Sequence, residues 1–335
     1  MGAGGGAHSS ILAPMPLTYR DVQDAAARLA PLVLRTPVLS NDELDRRIGG
    51  RVFLKCENLQ RTGAFKYRGA CNAVLQLTAD QLARGVATHS SGNHAAALAR
   101  AARERGARAQ VVMPNDVSRF KQAAVAGHGA EIILCEPTMA AREAALAALV
   151  ARTGAAVVHP FEDHRVMAGQ GTAALELMHE IPELDLLLAP IGGGGLMSGC
   201  AVVARQLRPR IGLYGVEPAG ADDALRSLRA GAVTPVAQPN TIADGLRATV
   251  GHNTLPILKA LLDDIVTVDD TAIIRAMRFL WEHAKLVVEP SAAVPLAALF
   301  EGRVSATGRR VGIIISGGNV DLDALPWITT QEHHG

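Results

Sequence analysis

Leu184-Asp185-Leu186-Leu187-Leu188-Ala189-Pro190-Ile191-Gly192-Gly193-Gly194-Gly195-Leu196 is an apolar run that passes directly into four glycines. Leu184–Ala189 has strand length and little polar alternation, so it predicts a strand covered on both faces. Pro190 to Leu196 reads as the turn from that strand into a helix. A tight turn alone rarely uses four glycines, whereas four let successive amides curl into an anion nest at a helix start. Outward from here the same unit recurs. Gly85–Thr88, Ala109–Met113, Ile132–Leu134, Val157-Val158, Ile211–Val216 and Val311–Ile315 read as further strands. Asn93–Arg105, Ser118–Ala126 and Thr138–Thr153 read as helices between them. This alternation predicts an α/β fold with parallel, twisted sheets flanked by helices. Soft boundaries divide it into a large domain, 1–75 with 161–335, and a small inserted α/β domain, 76–160.

Composition narrows the function. Lys and Arg total 33 against 32 Asp and Glu, a formal net charge of +1 with no basic block. Nucleic-acid and anionic-membrane partners are therefore not expected. Four cysteines stand apart with no CxxC pair, which argues against a zinc site or a disulfide framework and for a reduced cytoplasm. No apolar run reaches the ~18–20 residues needed to span a bilayer. Met1–Ser10 is Gly-rich without the charged and apolar regions of a secretory signal, and reads as a disordered tail.

The chain has only five lysines, and one has unusual neighbours. Lys66 stands in Gln60-Arg61-Thr62-Gly63-Ala64-Phe65-Lys66-Tyr67-Arg68-Gly69-Ala70. Most lysines are solvated surface charges. Here Thr62-Gly63 reads as a helix start, which places Lys66 in the first turn. The positive helix end and Arg68 would then lower its pKa, as a Schiff-base amine requires. Thr88-His89-Ser90-Ser91-Gly92-Asn93-His94 follows a strand and opens a helix, so its amides suit a carboxylate or phosphate, although a Ser/Asn N-cap is the plainer reading. Ile313-Ile314-Ile315-Ser316-Gly317-Gly318-Asn319 is a buried strand ending in a hydroxyl and two glycines. Glu217-Pro218-Ala219-Gly220-Ala221-Asp222-Asp223 sets two carboxylates about a carbonyl, a set that can hold a hard cation, though loop acids are commonly just solvated. Glu217 also follows the glycine run at the distance of a dinucleotide-binding acid. However, Gly193, Gly195 and Gly199 are spaced one residue too long for that fingerprint, and a nicotinamide oxidoreductase leaves the Lys66 stretch unexplained.

In this order these stretches resemble the fold-type II pyridoxal-phosphate enzymes, in particular serine racemases and serine/threonine dehydratases. The match runs from Tyr19 to Trp327 and includes Asp244-Gly245 and Glu289. The resemblance implies a tryptophan synthase β-like fold and a homodimer. It implies that Lys66 carries pyridoxal 5′-phosphate, Phe65 packs on its ring, and Gly192, Gly193, Gly194 and Gly195 hold the phosphate. Asn93 would bond the ring hydroxyl and Ser316 the ring nitrogen. Ser90, Ser91, Asn93 and His94 would surround the substrate carboxylate, with Ser91 as the acid/base opposite Lys66. Glu217, Ala221 through its carbonyl, and Asp223 match a divalent-cation site for Mg2+, Mn2+ or Ca2+.

The activity so implied is β-elimination from L-serine, L-threonine or 3-hydroxyaspartate to a keto acid and ammonia, with serine racemisation beside it. A dedicated serine or aspartate racemase is the alternative, and a non-catalytic amino-acid-binding relative is argued against by the intact Lys66, Ser91 and Asn93. Ala64, Phe161 and Ala248 depart from the animal racemases, which bears on racemisation and leaves the cofactor reading untouched. Arg142 aligns with an arginine near the racemase substrate pocket and would suit a second carboxylate. The chain ends soon after Ser316, so no C-terminal regulatory domain is expected.

Overall fold

A computed structural model describes residues 17–90 and 92–328. The expected tail Met1–Ser10 and the candidate Ser91 lie outside the described residues. The strands are β1 (Val38–Leu39), β2 (Arg51–Cys56), β3 (Val86–His89), β4 (Ala109–Pro114), β5 (Glu131–Cys135), β6 (Ala156–Val157), β7 (Leu186–Pro190), β8 (Gly212–Pro218), β9 (Asp264–Val268) and β10 (Arg310–Ile315). Those expected from apolar runs form within a residue or two of the expected bounds. The sequence reading omitted β1, β2 and β9. Lys55 interrupts β2, and Asp264 with Thr267 breaks the apolar run of β9, so neither reads as a doubly covered strand.

Two sheets result. The larger runs β1-β2-β10-β7-β8-β9, the smaller β5-β4-β3-β6. Every pairing is parallel except β1 with β2. The period of two along β7 sends Leu186 and Leu188 into one core and Leu187 and Ala189 into the other. Fully burying one such leucine stabilises by roughly 1.5–3 kcal/mol. Among the described residues, no helix is long and apolar enough to cross a membrane.

Parallel strands bring their C-terminal turns to one edge, where ligands of open α/β sheets bind. The Lys66 turn follows β2, the glycine run follows β7, and Ser316 follows β10. Three helices carry or brace these turns: Lys66–Leu75, His164–Glu180 and Gly195–Leu207. The middle helix packs on both others through glycine. A Cβ on Gly169 would lie 2.7 Å from the Gly69 Cα, and a Cβ on Gly199 would lie 2.6 Å from the Gly171 amide. Backbone-to-backbone contact at both crossings fixes the helix carrying Lys66 relative to the helix that opens at the glycine loop.

Candidate active site

The chain reaches Lys66 through a strained turn. Thr62 and Gly63 adopt left-handed φ of 62° and 73°. A Cβ at Gly63 would meet the Asn319 Oδ1 at 2.3 Å, so glycine is required there on two grounds. Ala64 then bridges to Gly317, and the Phe65 amide donates to the Ser316 carbonyl at 3.0 Å. The helix therefore opens at Lys66, with Phe65 at its N-cap, and not at Thr62-Gly63 as expected. Left-handed backbone cannot start a right-handed helix.

Lys66 Nζ donates to the Pro160 carbonyl at 3.0 Å, and burial lowers its pKa to about 8, with Glu289 pulling the other way. Its first-turn position agrees with the sequence, but the cause of the shift differs from the one expected. Arg68 turns into the core, where two carboxylates neutralise it.

The glycine loop leaves no space for side chains. Gly194 has a φ of 89°, and a Cβ at Gly193 would lie 2.2 Å from the Phe161 ring. The Gly193 carbonyl is held by the Thr254 hydroxyl at 2.8 Å and the Gly251 amide at 3.2 Å. The helix starting at Gly195 presents amides that lack intrahelical partners. A loop packed too closely for any Cβ, leading into free amides at a helix start, fits a phosphate. Phe161 directly follows Pro160, so this loop and the Lys66 amine share one wall.

Asn93, in the first turn of the helix Asn93–Glu104, donates to Glu289 Oε1 at 2.8 Å. Asn319 donates to Asn93 Oδ1 at 2.8 Å and to the Thr62 carbonyl at 2.7 Å. Burial pushes the Glu289 carboxyl up to about 8, partly opposed by the Asn93 hydrogen bond. Asn319 and Glu289 stand within sequence motifs that gave them no role. A carboxylate inside Leu286-Val287-Val288-Glu289-Pro290 was the available signal, since an acid in an apolar run needs a partner.

Three imidazoles cluster near Lys66. His94 Nε2 lies 3.0 Å from the Val158 carbonyl and so donates to it, while burial drops the ring pKa to about 3. Burial likewise takes His159 down to about 4 and lowers His89. The His89 and His159 rings meet edge-on at 5.5 Å, and His159 and Phe161 at 4.7 Å. Arg142, on the helix Met139–Thr153, lies close enough to His89 to lower its pKa. The Arg142 Nε is buried without a hydrogen-bond partner. The Ser90 hydroxyl accepts from the Gly92 amide at 3.4 Å, and Ser316 is buried.

Glu217 at the end of β8, Ala221 in the turn after it and Asp223 at the start of the helix Asp223–Ala230 are all buried. Glu217 accepts the amides of Ala224 and Leu225, and Asp223 accepts the Val250 amide at 2.7 Å. Burial and then the Asp223 charge push the Glu217 carboxyl well up, while burial raises Asp223 to about 6. Two buried carboxylates that form no salt bridge among the described residues fit a cation, although among the same residues no three His, Cys, Asp or Glu side chains gather at one point. Val250 precedes the Gly251 that holds Gly193, so this turn is linked to the glycine loop. With its carboxylate turned inward to amides, Glu217 is not presented to a ribose.

A family model described as pyridoxal-phosphate dependent enzyme matches residues 29–317. The chain is 44% identical over 314 residues to a serine racemase of Dictyostelium discoideum, covering 92% of this chain and 97% of that protein. It is 46% identical over 310 residues to the beta-hydroxyaspartate dehydratase of Paracoccus denitrificans (strain Pd 1222), covering 92% and 98%. Maize serine racemase superposes with a TM-score of 0.90 at 43% identity, covering 92% of this chain and 95% of that one.

Proposed function

The chain belongs to the pyridoxal-phosphate-dependent enzymes, and from that premise we propose that it eliminates the β-hydroxyl of small hydroxy amino acids and releases ammonia, leaving a keto acid. L-Serine, L-threonine and 3-hydroxyaspartate are the substrates, with serine racemisation as a side reaction. The observation that carries this reading is the Lys66 amine, enclosed on the Pro160–Phe161 wall beside the glycine cradle and lowered to about 8. Having a serine racemase and a hydroxyaspartate dehydratase among its relatives supports the pair of activities.

Pyridoxal phosphate, when bound, supplies an electron sink that acidifies the α-proton of an attached amino acid. Gly192–Gly195 would hold its phosphate, Lys66 would carry it covalently, Phe65 would pack against it, and Asn93 and Ser316 would meet its ring substituents. Ser90, Asn93 and His94, at the start of the helix Asn93–Glu104, would hold the substrate carboxylate together with Ser91. Lys66 Nζ, neutral above about pH 8, takes the α-proton. Ser91 is the donor on the opposite face when the product is the enantiomer. The Ser316 hydroxyl at the ring nitrogen, in place of a carboxylate, would leave the ring less electron-withdrawing and so favour loss of the β-hydroxyl over return of the proton.

Arg142 directs the choice of substrate. A buried guanidinium nitrogen with no partner suits the second carboxylate of 3-hydroxyaspartate. The test measures keto acid and D-serine together from L-serine, with L-threo-3-hydroxyaspartate in parallel. Keto acid is expected to exceed D-serine, and an excess of D-serine would replace the lyase reading with a racemase. Arg142→Ala is expected to cut kcat/KM for hydroxyaspartate by roughly 10–150-fold, the worth of a charged hydrogen bond. Serine turnover should change little, and equal losses on both substrates would remove the assignment.

Glu217, Asp223 and the Ala221 carbonyl would hold Mg2+, Mn2+ or Ca2+, whose charge would offset the cost of burying both carboxylates. A chelator is therefore expected to lower the melting temperature, and added cation to restore it. A melting curve unmoved by either would remove the cation site. A homodimer in a reducing cytoplasm belongs to the same proposal. All four cysteines are unpaired, as reducing conditions require. So does a division into domains at 75/76 and 160/161, where the chain passes between the two sheets.

A further inference from the structure

Arg68 follows Lys66 by two residues in the same helical turn, yet its side chain is wholly buried away from the site. Its guanidinium forks onto Glu57, with Nε to Oε2 at 2.7 Å and Nη2 to Oε1 at 2.9 Å. It forks again onto Glu176, with Nη1 to Oε1 at 2.7 Å and Nη2 to Oε2 at 2.8 Å. Lys55 donates to the same Glu176 at 2.6 Å. Two cations and two carboxylates thus close a neutral cluster. It joins β2, the turn after it, the Lys66 helix and the helix His164–Glu180.

Stability does not account for such a cluster. Buried ion pairs are often matched or bettered by apolar side chains of the same volume. What apolar contacts lack is direction, which a planar guanidinium gripped on two edges supplies. At about 100° per residue, side chains two apart point to nearly opposite sides of a helix. Lys66 therefore faces the cleft while Arg68 faces the core, and fixing one sets the azimuth of the other. The Gly69 amide adds a second restraint, donating to Gln170 Oε1 at 3.1 Å. A lysine amine stands several ångströms off the helix axis, so a rotation of about 10° displaces it on the order of 1 Å. A misplacement of that size can lower a rate about 100-fold.

We propose that Arg68 is the positioning residue for Lys66, holding the first turn of its helix through the buried Glu57–Arg68–Glu176–Lys55 cluster so that the amine stays at the Pro160 carbonyl. The proposal rests on the reading of Lys66 as the cofactor-bearing amine. Borohydride reduction of the unmutated holoenzyme and peptide mapping tests that reading separately, because label on another lysine defeats the reading before any variant is made.

The experiment compares Arg68→Lys and Glu176→Gln with the parent. Arg68→Lys keeps the charge and loses the fork. Glu176→Gln keeps the shape, removes one charge and leaves the Lys66 helix unaltered. Circular dichroism establishes folding, kcat and KM are measured on L-serine, and Lys66 of the cofactor-free protein is acylated across a pH series and read by mass spectrometry. In the parent the labelling midpoint should lie near the value of about 8 set by burial. In Arg68→Lys, kcat is expected to fall about 100-fold with KM within about threefold, and the midpoint to move upward as the amine leaves its pocket. Glu176→Gln should shift both in the same direction by less. Folded variants that melt earlier but keep the parent kcat and midpoint would overturn the proposal. Failure of both variants to fold would overturn it equally, since the cluster would then serve stability alone.

Discussion

Lys66→Ala is expected to leave a folded protein that binds pyridoxal phosphate weakly, without a covalent link, and turns over hydroxy amino acids slower by roughly 10⁴-fold or more. None of the other four lysines can replace it. Lys55 is committed to Glu176 and the Thr36 carbonyl, Lys121 pairs with Asp244, Lys285 donates to the Glu282 carbonyl, and Lys259, in the last turn of the helix Thr254–Leu261, reaches to Gly231. The direction of the stability change comes from the pKa. Lys66 falls from 10.5 to about 8 in the fold, so the native state disfavours its proton. That penalty is complete below about pH 8, shrinks between there and 10.5, and is absent above. The variant should therefore gain on the parent in melting temperature at pH 7 relative to pH 10.5. A loss of stability greatest at low pH would contradict the buried-amine account. In the parent, covalent loading of the cofactor should accelerate as pH rises through 8, where the amine becomes neutral.

Gly199→Ala is expected to be the most damaging of the conservative changes. The added methyl would lie 2.4 Å from the Met167 carbonyl and 2.6 Å from the Gly171 amide, and no flexible side chain is there to yield. The two helices must part, which costs about 3 kcal/mol or more. Because Gly199 belongs to the helix that opens at the glycine cradle, cofactor affinity should fall along with stability. Chemical denaturation and cofactor titration read the two effects. Gly127→Ala is the control, since its added methyl meets nothing within 4 Å and alanine favours the helix. Equal stability in the two variants would mean that the helix crossing is looser than backbone contact implies.

Much of this protein is written in short stretches. The anion nest at Gly192–Gly195, the apolar runs of β7 and β10, and the helix start after His89 depend on local spacing. Neighbouring residues decide turn geometry, amide orientation and strand length, so a linear reading reaches them. Parallel pairing is legible as well, because strands alternating with helices must return to the same edge. β2 escaped because a buried lysine breaks its apolar run, and its carboxylate partner lies on another helix.

The environment of each reactive group was not local. Lys66 meets Pro160 across 94 residues, and Asn93 meets Glu289 across 196. Burial and electrostatic potential are sums over everything packed nearby, so a charge next in sequence can be irrelevant. Arg68 shows this most clearly. From sequence it was a cation beside Lys66, and in the fold it points into the core, cancelled by Glu57 and Glu176. The sequence by itself determined that a glycine nest and a serine would stand at strand ends and that Lys66 would sit in the first turn of a helix. Only the tertiary structure decided that burial and not Arg68 lowers the lysine, and that Asn319 and Glu289 complete its surroundings, because those are properties of distances the chain acquires by folding.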